Sequence, residues 1–146
     1  MQFVIFVVAV LSGLSNPFQS ATNAELNKRL GSPMWASIFV YLIGLGGLLL
    51  AQMFVRQGWP GGKFGEVPWW AWMGGLISLI STVVGLVVVQ KLGSGTFTAA
   101  SVTAALVTSV VLDHFGVVGL KQHTASPGRM AGCALLVGGL WLVAKF

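Results

Sequence analysis

Acidic side chains are nearly missing from this 146-residue chain, which has three Asp and Glu against eight Lys and Arg and two His. None of the three lies deep in an apolar run: Glu25 ends the first run, Glu66 is in a polar loop and Asp113 is near the end of the fourth. A minimal proton-coupled cation exchanger keeps a buried carboxylate that binds proton and substrate in turn, because an intramembrane acid is costly and is kept only for work. That mechanism is not expected here. Charge of either sign is scarce, 8% of residues where a soluble domain carries about 25%, so the chain cannot clad a soluble surface. The net charge of +5 does not make a nucleic-acid footprint, because the basic residues stand singly between hydrophobic runs and form no stripe. The single cysteine, Cys133, excludes an internal disulfide. His114, His123 and Asp113 lack the regular spacing of a metal site. No nucleophile elbow and no phosphate-cradling glycine motif is present. No metal, cofactor or catalytic residue is therefore expected, and the chain does not read as an enzyme.

What is present is apolar length. The chain is 55% hydrophobic with a mean hydropathy of +0.87, and it divides into five stretches at 3–26, 33–55, 68–90, 96–115 and 127–143. Each falls within the ~17–25 residues that cross a hydrocarbon core as a helix. The expected fold is an all-α integral membrane protein, one five-helix transmembrane domain over residues 1–146, in the bacterial inner membrane. No Lys or Arg precedes Lys28, so the first run is expected to be a retained span and not a signal peptide. Ser32–Pro33 and Ser126–Pro127 are cap-plus-proline starts, and Pro68 opens the third span. Trp69, Trp70 and Trp72 at that start suit the headgroup layer, while the Gly-rich loop Gln57 to Val67 is expected in water. Twenty glycines, with small-residue faces at Gly74, Ser78, Ser81, Thr82 and Gly85, then at Ser94, Thr98, Ser101, Ala105 and Thr108, read as helix seams. On the fourth-span face the hydroxyls can return to carbonyls of their own helix, which favours packing.

The basic residues that flank the spans are evenly shared. One side holds Arg56, Lys63, Lys121 and Arg129, and the other Lys28, Arg29, Lys91 and Lys145. Orientation follows the bias of Lys and Arg toward the cytoplasm, and here there is none. An odd number of crossings without an orientation signal predicts a chain that inserts both ways up and pairs with an inverted copy of itself. Many secondary transporters place two alternating entrances around one site by such symmetry.

Polarity inside the membrane is concentrated in the first span. Ser12, Asn16, Gln19 and Asn23 are spaced by four, three and four residues, which at 100° per residue keeps them within about 60° of one face. Unpaired amides in hydrocarbon cost several kcal/mol, so the face is expected to look into the bundle, a dimer axis or a wet cavity. Pro17 cannot donate to the carbonyl of Gly13 and is expected to kink the helix there. These four polar residues are the candidate substrate contacts, the alternative being that they bind helices together. Asp113, with His114 or Lys121 as neighbours, is the candidate for ion coupling, the alternative being a helix-end ion pair.

Gln19, Asn23 and Leu26 in the first span, Gly31-Ser32-Pro33, Pro68-Trp69-Trp70 with Gly74 and Gly75, the block Asp113-His114-Phe115-Gly116, and Arg129 with Gly132 together carry a resemblance. By these residues the chain resembles the short, single-domain, five-helix dual-topology branch of the drug/metabolite transporter superfamily, distantly related to the small multidrug resistance exporters. The resemblance covers nearly the whole length, and the Asp-His-Phe-Gly block is its most specific part. It implies antiparallel dimers, of one chain or of two homologues. The family pattern has Gly-Gln ahead of that block where this chain has Ala104 and Ala105, so no substrate role is carried over to the fourth span. The four-helix multidrug exporters have a glutamate in the first span and this chain has amides there, so their proton exchange is not carried over either. The expected function is alternating-access transport of a small solute by an antiparallel homodimer in the lipid bilayer. The alternative is a non-transporting membrane subunit or assembly partner of another membrane protein.

Overall fold

The computed structural model describes residues 2–117 and 122–146, and among them all regular structure is helical. Five long helices follow one another: α1 (Gln2–Leu30), α2 (Pro33–Val55), α3 (Met73–Leu92), α4 (Ser94–Phe115) and α5 (Pro127–Lys145). Each is long and apolar enough to span a membrane, α3 together with the 3₁₀ turn Trp69–Trp72 ahead of it.

Local chemistry sets the ends. Ser32 is extended (φ −146°, ψ 112°) and its Oγ accepts the Trp35 N–H at 3.4 Å, with Pro33 in the first turn where a missing N–H costs nothing. Ser126 does the same for the Arg129 N–H at 3.3 Å. α1 continues past the expected stop near Leu26 to Leu30. Its last turn holds Lys28 and Arg29, where cations meet the negative end of the helix, and Gly31 at φ +65° closes it. Charge ended the apolar run there without ending the helix. α4 begins at Ser94 and not near Thr96, because Gly93 at φ +80° turns the chain within a single residue.

The described residues bury few side chains, mostly small or polar with Leu86 and Val89 among them, and expose most of the large apolar ones. Ala24, Ala36, Ser37 and Gly85 are buried, while Phe3, Phe54, Leu48 and Leu135 are among the exposed. A water-soluble domain does the reverse. Lipid tails solvate such a surface, and small residues let helix backbones approach closely.

The chain forms two compact units, Phe18–Lys91 on the one hand and Met1–Pro17 with Leu92–Phe146 on the other. In the first, the Asn27 Nδ2 donates to the Leu86 carbonyl and the Gln90 Nε2 to the Ala24 carbonyl, both at 3.1 Å. α1 and α3 are thus joined by reciprocal amide-to-backbone bonds. In the second unit α4 packs on α5.

Candidate functional site

α1 is helical from Gln2 to Leu30 with Pro17 inside it; of the four expected contacts, Ser12 and Asn16 belong to one compact unit and Gln19 and Asn23 to the other. Ser12 is satisfied locally, its Oγ donating to the Ala9 carbonyl at 2.8 Å. Asn16 and Gln19 are exposed and Asn23 is half-buried. Among the described residues, side chains of α1 bond through Ser12, Ser15, Thr22, Asn27 and Arg29, and the amides of Asn16, Gln19 and Asn23 find no partner. Asn27 is the residue that sequence reasoning missed. It stands one further step of four beyond Asn23, and it is 5% exposed and committed to α3. The period pointed to it, but Glu25, Lys28 and Arg29 around it made the segment look like the end of the helix.

A second polar group was hidden among residues read as a seam. Ser12, Ser15, Thr22 and Ser37 all return their hydroxyls to carbonyls of their own helix. Ser78 and Thr82 of α3 instead meet the Tyr41 hydroxyl of α2, at 2.9 Å and 3.0 Å. Tyr41 also lines an open groove of about 460 Å³ with Met34, Ile38, Leu42, Leu45 and Leu79. In the other unit Pro17 lines a groove of about 470 Å³ with Thr98, Val102, Thr103, Leu136 and Gly139. Thr98 Oγ1 is buried and has no partner among the described residues; returning a hydroxyl to a carbonyl of its own helix is one rotamer choice among several, and here it is not taken.

The Asp-His-Phe-Gly block builds the junction between α4 and α5. Gly116 closes α4 in the left-handed region (φ 59°, ψ 33°), and a Cβ there would also stand 3.1 Å from the Gln122 Cβ. The Asp113 carbonyl accepts the His123 N–H at 2.8 Å and the Gly116 N–H at 3.3 Å. The His114 carbonyl accepts from Gln122 Nε2 at 2.9 Å, and its ring Nδ1 accepts the Ala125 N–H at 3.2 Å. The ring is therefore turned to the backbone. Asp113 Oδ2 pairs with Arg129 Nη1 at 3.5 Å, with both side chains partly exposed. Of the two neighbours expected for the Asp113 carboxylate, His114 is engaged elsewhere and Lys121 lies outside the described residues. Among the described residues, no group of three His, Cys, Asp or Glu is placed to hold a metal.

Five span-capable helices with an apolar exterior define a polytopic helical membrane protein. Residues 4–142 match the family described as "Putative inner membrane exporter, YdcZ", and the chain belongs to that family of drug/metabolite-type membrane transporters. It is an integral inner-membrane protein, and its family is one of transporters rather than enzymes. The chain is 26% identical over 148 residues to the inner membrane protein YdcZ of Escherichia coli (strain K12), covering 99% of this chain and 97% of that one. No solved structure matches.

Proposed function

We propose that residues 1–146 act as one five-helix transmembrane domain that pairs with an inverted copy of itself and moves a small solute by alternating access. The first helix of each subunit borders the path. Asn16, Gln19 and Asn23 give hydrogen bonds to the solute, Ser12 lies at the edge of that face and Pro17 supplies the bend. The observation that carries this reading is the set of amides on α1 without partners among the described residues, since an apolar helix does not keep such groups without a use. Family membership and the even charge distribution support it. Amide contacts suit a neutral or zwitterionic solute better than a bare organic cation.

Solute flux into liposomes, compared between wild type and the Gln19→Ala and Asn23→Ala variants at equal expression, tests the site. Each variant is expected to lose about tenfold in rate, the worth of one hydrogen bond of about 1.4 kcal/mol. Wild-type flux in both would remove the α1 face from the path. A second reading adds ion coupling at Asp113. Its carboxylate bridges from α4 to Arg129 of α5.

A further inference from the structure

The segment between α2 and α3 carries an aromatic stack whose outer side is open. The Trp59 ring lies 5.6 Å from that of Phe64, and Phe64 stacks on Trp72 at 5.9 Å with 17° between planes. Trp59 is nevertheless 84% exposed and Trp69 76%. Gly61 makes room for this arrangement, because a Cβ there would stand 2.8 Å from the Trp59 Cδ1. Arg56 and Lys63 lie in the same segment, and among the described residues neither has a carboxylate partner. Arg56 caps α2 in the left-handed region (φ 50°, ψ 37°), a position where glycine or asparagine is the usual choice. An arginine kept in a conformation that glycine adopts at lower cost indicates a use for its charge.

The location says what covers the stack. α2 ends at Val55 and the next apolar stretch begins at Trp69. Residues 56–68 therefore connect the ends of two span-capable helices on one side of the membrane. Indole rings favour the headgroup layer, where the apolar body is solvated by glycerol and upper acyl carbons and the N–H finds a partner. Guanidinium and ammonium groups there meet phosphate oxygens.

We propose that residues 56–72 form a phospholipid headgroup site. Trp59, Phe64, Trp69 and Trp72 seat in the glycerol layer, and Arg56 and Lys63 take lipid phosphate oxygens, with a preference for anionic lipid. The loop expected in water on its glycines and charges is thereby drawn down into the headgroups by its aromatic residues.

The test uses the full chain with Trp35, Trp69, Trp70, Trp72 and Trp141 replaced by Phe, so that Trp59 is the only emitter. In vesicles, bromines placed near the glycerol end of the acyl chain are expected to quench Trp59, with little effect from chain-end bromines or aqueous iodide. Quenching by iodide alone puts the ring in water, and quenching by neither means that protein, such as a second copy, covers it; both results overturn the proposal. If the single-tryptophan chain does not express, the difference between wild type and Trp59→Phe gives the same reading. Phosphatidylglycerol retained by the purified protein is expected to fall about fivefold for each base removed in Arg56→Gly and Lys63→Gln. Arg56→Gly should keep or raise Tm, because glycine relieves the left-handed position. Unchanged retention in the double variant also overturns the site.

Discussion

Two kinds of amide stand on the same helical face of α1 and differ only in what lies opposite. Asn27 meets the Leu86 carbonyl and is buried, whereas Gln19 is exposed with no partner among the described residues. The first fastens α1 to α3. Asn27→Ala should therefore lower the unfolding free energy in detergent by about 1 kcal/mol, the middle of the range for interhelical hydrogen bonds in membranes. Gln19→Ala should leave stability unchanged, and thermal unfolding of the two purified variants checks the contrast. The stripe itself was legible from its spacing of three and four. Which member docks was not, because that depends on a carbonyl 59 residues further along the chain. The same holds for Tyr41, whose hydroxyl gains meaning only from Ser78 and Thr82 on another helix.

At the scale of elements, the starts of α2 and α5 follow from single residues and were readable. Ser-Pro pairs open α2 and α5, and glycines in the left-handed region end α1 and α4. The most specific motif of the chain is an element joint: Asp113, His114 and Gly116 receive or make the bonds that carry α4 into the start of α5. Sequence showed the block but not its partner, Arg129, which comes from the opposite side of the connection. A partly exposed pair at 3.5 Å contributes less than about 1 kcal/mol, so Asp113→Asn should barely move Tm. If Asp113 also couples an ion, the same variant should bind solute normally while its flux no longer responds to an imposed pH gradient. A retained response confines Asp113 to the joint.

For the whole molecule the deciding quantity is the tally of basic residues on the two sides of the membrane, four against four. With so small a bias, labels at Met1 and Phe146 in intact cells should report both termini from both faces of the membrane. Replacing Arg56 and Lys63 by Gln leaves two against four and should turn the population to one orientation, with the richer side in the cytoplasm. Uniform insertion of the wild type, with no oppositely inserted relative accompanying it, would end the inverted-homodimer reading.

Sequence by itself determined that this is a membrane protein with five span-capable helices, where α2 and α5 begin, and which helix carries the spaced amides. These are local matters of composition, period and capping, each settled within one or two turns of chain. Only the tertiary structure decided that Asn27 is spent on α3, that Ser78 and Thr82 serve Tyr41, that Asp113 holds Arg129, and that Trp59 stacks through Phe64 onto Trp72. Each of these is a match of donors, acceptors or rings on different segments, and in an apolar medium an unpaired polar group takes whichever partner the packing brings within about 3 Å.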